Sequence, residues 1–433
     1  MQVNHFNTFP YGGAAAAALR LHHEMQNQRI ESRFWYSIND RDVDCDGTTR
    51  PIQFRESSQP NFFQRQLEKR RNRKICRLYD SHLANRDKQQ EVFSMAEQTA
   101  VTRLSSAGFE RQIVHLHWVA FMADLPSFFR SIPRSSPIVW TLHDMNPLTG
   151  GCHYSSGCEQ FKSGCGSCPQ VVLPNSNDAS AQGFRAKQKA FSSRSMNIVS
   201  PSLWLKRLAE SSPIFPRSTR FHHIRLGFDL NQLRPIPKPA ARKQLGLPED
   251  KTLIGFGAES LGNHRKGFDL LIDALSGMPD QKDVQCVVFG AADDWSDSDS
   301  QIPSCHQMGY VNDVERMTQI YSACDFVVVP SREDNQPQVG LEAMACGTPV
   351  IGFNCGGISE YITHGTTGFL AEPEDSKALA FQISEMVSAG SLRDEMGRRC
   401  RQRMEQDFNI VNQSQKYLAL YSELLEGREA KSA

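Results

Sequence analysis

The chain has 433 residues, above the size at which one hydrophobic core stops growing, so two domains of roughly 200 residues are expected. Its 48 lysines and arginines balance 48 aspartates and glutamates, which leaves no overall field to hold nucleic acid or an anionic membrane. No uncharged apolar run reaches the ~18 residues of a membrane span, and twelve cysteines, eight of them scattered singly, suit a reducing compartment better than a disulfide framework.

Met1–Tyr11 lacks the basic and apolar regions of a secretory signal, which sets a cytoplasmic expectation. In YGGAAAAALRLH, Gly12 and Gly13 fall between a first strand and a helix, without the full G-x-G-x-x-G pattern. Between Asn61 and Asp80 seven lysines or arginines meet two acids, and Phe63, Leu67, Ile75 and Leu78 fall near one helical face. Such a helix either packs with a solvated basic side or docks on an anionic membrane surface. The apolar runs Arg111–Trp118, Ile138–Leu142 and Met196–Val199 are continuous rather than alternating, as in parallel strands buried on both faces. IVWTLHD closes one of these strands with His143 and Asp144. Cys152, Cys158, Cys165 and Cys168 follow, with His153 beside the first. Four thiols within 17 residues could form a tetrahedral zinc site, two disulfides or four free thiols; the spacing is not that of a standard zinc finger. Prolines then accumulate over 213–241, as in an interdomain connection.

In the second half, strands are expected at Thr252–Gly257, Val284–Phe289, Asp325–Val329 and Thr348–Phe353, alternating with helical stretches such as Gly267–Ser276. Three loops at strand ends carry chemistry. The first, AESLGNHRKG, places Arg265 and Lys266 just before a helix, where cations and a helix N-terminus suit a diphosphate. The second precedes a helix expected over Gln336–Cys346, with Asp334 and Glu342 eight residues apart, about 12 Å along a helix axis. Carboxylates accept from paired sugar hydroxyls, so each could grip one ring. The third contains Gly356 and Gly357, where backbone can approach a ligand and its amides can face an anion.

These residues resemble family 4 glycosyltransferases of the GT-B fold over nearly the whole chain. Asp334 and Glu342 stand where that family has an E-x7-E pair, with aspartate at the first position. EAMACGTPVI, GTTGFL and RKGFDLLIDAL are similar to family wording, and TLHDMNPLTGGCHYSSGCEQFKSGCGSCPQ resembles the branch named for colanic-acid biosynthesis. The family's usual arginine after the strand glycine is missing at Gly257-Ala258-Glu259, where Arg265 is the available substitute.

The resemblance implies an α/β protein of two Rossmann-like doubly wound domains facing across a cleft. It places an acceptor-side domain at 1–215, carrying the cysteine-rich loop 150–169. A nucleotide-sugar domain spans 216–407, and 408–433 form a helix that returns to the first domain. It implies a retaining hexosyltransferase, metal-independent in catalysis, acting in exopolysaccharide or O-antigen synthesis. Its partners would be a nucleotide-sugar donor and a saccharide or lipid-linked saccharide acceptor; peripheral contact of 61–80 at the inner membrane face is the expectation from the basic helix itself. His143, Lys266 and Asp334 take catalytic roles, and Gly13, Arg265, Lys266, Asp334, Glu342, Gly356 and Gly357 bind the donor. Other readings of the same residues are a GT-B epimerase or phosphorylase and a nucleotide-sugar binder without transfer activity. A zinc-ribbon nucleic-acid binder is disfavoured by the balanced charge and the lack of a basic–aromatic surface.

Overall fold

A computed structural model describes residues 1–38, 47–52, 62–87, 90–99, 104, 109–192, 194–260, 262–278, 282–291 and 302–432. Cys45, Asn61 and Leu261 lie outside this set. The chain divides into two compact units, 1–224 with 413–433 and 225–412. The passage at Ile224–Arg225 falls after a last edge strand, so the proline-rich stretch still contributes to the first sheet.

The first unit holds β1 (Gln2–Asn7), β2 (Glu31–Tyr36), β3 (Thr49–Pro51), β4 (Ile113–Leu116), β5 (Ile138–Thr141), β6 (Met196–Ser200) and β7 (Arg220–His223). They form one sheet in the order β3-β2-β1-β4-β5-β6-β7, and its pairings are all parallel. Central strands such as IVHL of β4 and IVWT of β5 are buried at every position, which is why they read as continuous apolar runs. The strand order reverses between β1 and β4, the place where open α/β sheets take ligands. The helix Ile410–Ser432 covers part of this sheet: Tyr417, Leu420 and Tyr421 pack with Val3, Ile113, Val139 and Val199.

The second unit holds β8 (Thr252–Ser260), β9 (Val284–Ala291), β10 (Cys305–Gln307), β11 (Phe326–Val329), β12 (Val350–Phe353) and β13 (Gly368–Ala371). Their order is β10-β9-β8-β11-β12-β13, again wholly parallel, with the reversal between β8 and β11. At the other end of those strands Asp325 fixes their start. It accepts from the Leu253 amide at 2.7 Å, from Lys238 Nζ at 2.7 Å and from Arg242 Nη2 at 2.6 Å. Two doubly wound Rossmann-like units make this a GT-B fold.

The basic segment forms a helix over Phe62–His82, but its apolar residues do not share one buried face. Ile75 is buried and Leu78 packs against the Leu83–Phe93 cluster, while Phe63 is 77% exposed and Leu67 65%. Only the second half of the helix rests on the body of the unit, so the angular alignment of the four residues did not translate into burial.

Candidate functional site

The turn after β8 is a short 3-10 segment, His264–Lys266, closed by Gly267 in the left-handed conformation (φ 67°) before the helix Phe268–Ser276. A Cβ at 267 would overlap the Pro330 carbonyl, so glycine is what lets this turn lie against the end of β11. The neighbouring loop is stitched to it: Arg332 N donates to Arg265 O at 2.8 Å, and the Arg332 guanidinium pairs with Asp269. Lys266 Nζ and Arg265 Nη1 both meet Asp334 Oδ2, at 2.7 and 2.9 Å. Arg265 also donates to Glu333 O. Burial works against charge on Asp334, but Lys266 and Arg265 outweigh it and hold the carboxyl far below the usual carboxylate range. Lys266 and Arg265 thus converge on one carboxylate beside the β8/β11 reversal.

Asp334 is not on the helix with Glu342. That helix runs Gln338–Ala345, two residues later than expected at its start. Asp334 Oδ1 accepts from the Asn335 amide and the Asp334 carbonyl accepts from Gly357 N at 2.9 Å, bonds that hold residue 334 in the loop. Gly357 thus commits its amide to Asp334 rather than presenting it to solvent. Gly356 has φ 54°, and a side chain there would overlap the Asp334 carbonyl. The loops after β8, β11 and β12 therefore bring Arg265, Lys266, Asp334, Gly356 and Gly357 together.

Glu342 sits apart from that ion pair, half-buried, and accepts from the Tyr321 hydroxyl at 2.9 Å. Tyr321 is fully buried on the preceding helix, so it orients the carboxylate from below. The buried Tyr361 hydroxyl has no hydrogen-bond partner among the described residues, and burial first, then the Asp334 charge, push its pKa up. Sequence reading missed Tyr321, because nothing in its spacing marks a hydroxyl aimed at a carboxylate.

In the first unit, Gly12 (φ 85°) turns the chain from β1 into the helix Gly13–Asn27, which puts Gly13 at that helix's first position. His143 follows β5 and is half-buried; loss of water contact is the main cause that pulls its pKa down to about 4. It is therefore a neutral imidazole near neutral pH. Its Nε2 lies 3.2 Å from His117 Nδ1, and His117 Nε2 lies 3.0 Å from His5 Nδ1. His5 Nε2 is buried without a partner, and a bare lone pair there costs less than a bare N–H. We assign His5 Nδ1–H and His117 Nδ1–H as donors along the chain, which leaves His143 with its proton on Nδ1. The alternation in VHLHW was the available signal, since period two puts His115 and His117 on one strand face.

His5, His115 and His117 have ring nitrogens within 4.8 Å of one another. Both His115 nitrogens are taken, by Thr141 Oγ1 at 2.7 Å and Tyr421 Oη at 2.7 Å, so this layer reads as a hydrogen-bond network. Asp144 pairs with His153 at 2.6 Å and accepts from Trp118 Nε1, tying the turn after β5 to the cysteine-rich loop. Cys152, Cys158, Cys165 and Cys168 lie in that loop without disulfides.

Residues 237–403 match the family model described as Glycosyl transferases group 1, so the second unit carries a domain of that kind. A D-inositol 3-phosphate glycosyltransferase of Xylanimonas cellulosilytica is 32% identical over 197 residues, 42% of this chain and 45% of that protein. The chain thus spans less than half the length of such relatives. The putative colanic acid biosynthesis glycosyl transferase WcaC of Escherichia coli is 23% identical over 401 residues, covering 90% of this chain and 92% of its own. Among solved structures, Anabaena HepE in complex with UDP and glucose superposes with a TM-score of 0.65 at 17% identity, over 98% of this chain and 100% of its own. Sucrose-phosphate synthase from Thermosynechococcus elongatus gives 0.67 at 17% identity, over 99% and 100%.

Proposed function

We propose that the chain is a retaining, metal-independent hexosyltransferase of family 4, moving a sugar from a nucleoside-diphosphate sugar to a saccharide or lipid-linked acceptor in cell-surface polysaccharide synthesis. The observation that carries this reading is the Lys266–Asp334–Arg265 cluster at the β8/β11 reversal, with Glu342 one helix turn and more beyond it. The likeness to a UDP-glucose-bound solved protein and to a colanic-acid transferase supports the donor and acceptor classes.

In this mechanism the donor diphosphate replaces Asp334 as the partner of Lys266 and Arg265. The freed Asp334 carboxylate then accepts from hydroxyls of the transferred sugar, while Glu342, steadied by Tyr321, accepts from the ribose. The acceptor hydroxyl oxygen bonds the anomeric carbon as the bond to the diphosphate breaks on the same face, and the acceptor proton passes to a diphosphate oxygen. Negative charge grows on the leaving group, where Lys266 is worth most. A panel of UDP-, GDP- and ADP-sugars tests the reading: slow hydrolysis of one donor, releasing its nucleoside diphosphate, is the expected result. Tight binding of every donor with no turnover would leave a nucleotide-sugar binder instead.

The reading also places the protein at the inner membrane face through the helix Phe62–His82. Phe62, Phe63 and Leu67 stand exposed at one end, and Arg70, Arg73, Lys74 and Arg77 line a groove of about 400 Å³ along it. Apolar tips beside cations suit an anionic lipid surface. Replacing Arg70, Arg73 and Lys74 by glutamine should weaken binding to anionic vesicles, and salt should do the same to the parent protein. Arg71 is left intact because it pairs with Asp124 and Gln98 O. Equal binding to neutral and anionic vesicles would refute the contact.

A further inference from the structure

The four cysteines of the loop 152–168 line one small cavity of about 20 Å³, room for a single water-sized body. Three of them belong to two tight turns: Ser156 (φ 48°) and Gly157 precede Cys158, and Cys165 (φ 57°) opens the C-x2-C pair with Ser167 (φ 48°) inside it. Three non-glycine residues in the left-handed region cost roughly 1 kcal/mol each or more, strain that persists where something else fixes the backbone.

Polar hydrogens are aimed at the sulfurs. The Gln170 amide faces Cys168 and the Gly150 amide faces Cys165, while the Ser180 hydroxyl donates to Asp178 Oδ1 and the Thr149 hydroxyl to the Cys152 carbonyl. An amide two residues after the second cysteine of C-x2-C is the kind of donor that orients a thiolate ligand. Two cations also act on the cluster. Lys187, fully buried, bears on Cys152 and Cys165, and Arg86 bears on Cys152 and Cys168. Their hydrogen bonds go to backbone carbonyls, apart from one from Lys187 to the Asn146 side-chain oxygen, and the Asp144 and Glu91 carboxylates act on Lys187 and Arg86 without a direct contact.

We infer that Cys152, Cys158, Cys165 and Cys168 bind one structural zinc ion as a tetrathiolate. Four thiolates and one dipositive ion carry a net charge of minus two, towards which Lys187 and Arg86 bring positive charge while Asp178 beside Cys168 adds negative. Binding releases the thiol protons, and the Gln170 and Gly150 amides take up sulfur lone pairs. No three of these sulfurs lie within 4.8 Å of one another as the loop stands. Sulfurs on one zinc, each about 2.3 Å from it, stand roughly 3.8 Å apart, so the ion draws the two turns together. The site is closed, with four protein ligands, and serves the fold rather than the chemistry. It fixes the loop that carries His153 against Asp144, next to His143.

The full-length protein, purified under reducing conditions without chelator, should contain about one zinc per chain by elemental analysis. Cys152→Ser and Cys165→Ser should each lower zinc content and melting temperature, while Cys76→Ser, on the exposed helix, should change neither. Should the serine variants fail to fold, cobalt supplied to the intact metal-depleted protein gives a second reading. The expected result is the visible absorption of tetrahedral cobalt together with a thiolate-to-cobalt charge-transfer band. Metal-free protein with four titratable thiols in this loop would overturn the inference, as would two disulfides found by mass under non-reducing conditions. Zinc that survives the cysteine changes but is lost in His5→Phe would assign the metal to the histidine layer and overturn it equally.

Discussion

Lys266→Ala is expected to lower kcat by on the order of 100-fold or more in transfer or donor hydrolysis, the loss seen when a donor to developing negative charge is removed. The argument rests on where the ammonium sits. Its Nζ is 2.7 Å from Asp334 Oδ2, on a turn locked against β11 by Gly267. An anion that displaces Asp334 inherits a positioned charge that needs no reorganisation. Glu342→Gln should behave differently, raising the donor KM more than it lowers kcat. Its carboxylate is steadied by Tyr321 at a distance from the bond that breaks, so its contact is similar in ground and transition states. Asp334→Asn should cost both terms. Each variant needs an unchanged melting temperature before its kinetics are read. A KM effect alone for Lys266→Ala, with Glu342→Gln inactive at saturating donor, would reverse the assigned phosphate and ribose contacts.

Asp325→Ala should destabilise the second unit by about 3–5 kcal/mol, the range for removing one partner of a buried ion pair. Arg242 is only 5% exposed at its side chain and would keep carbonyl contacts but lose its carboxylate. The Leu253 amide would be orphaned as well, at the start of β8 beside β11. Burial opposes ionisation of Asp325, but Lys238 and Arg242 prevail and depress its pKa. A depressed carboxylate contributes stability that is present above the unfolded value of about 4 and is lost as pH falls towards the folded one. Urea unfolding should therefore show a lower midpoint for the variant at pH 7 and a smaller loss of stability on acidification than in the parent. An unchanged midpoint would show that the pair does not hold the strands.

The buried strands were the most legible part of the chain. FVVV, VIGF and IVWT are apolar at nearly every position because helices cover both faces, and their bounds fall within a few residues of the apolar runs. Edge strands were not legible: TRP of β3 and RFHH of β7 are short, polar and partly exposed, with no pattern to separate them from loops. Of the site, the residue types and their strand-end positions could be read, but not their partners. That Asp334 holds Lys266 and Arg265, and that Gly357 spends its amide on the Asp334 carbonyl, depend on loops folded against one another. The histidine layer went unread because it joins β1, β4 and β5 with a helix some 300 residues further on, through bonds such as Tyr421 Oη to His115 Nδ1.

That last bond has a consequence for biosynthesis. Residues 413–433 belong to the first unit, yet they are translated only after the whole of 225–412. At ~5–20 residues per second the ribosome needs roughly 10–40 s to cross that insertion. For that interval the nascent first unit has its sheet but not Tyr417 and Tyr421, so Val3, Ile113, Val139 and Val199 lack their cover and His115 lacks its phenol. The intervening unit can meanwhile finish folding on local information. Until Tyr417 and Tyr421 emerge, those sheet residues have Leu21 and Met25 beside them but lack the rest of their cluster, which leaves the oldest part of the polypeptide open to chaperone capture or aggregation.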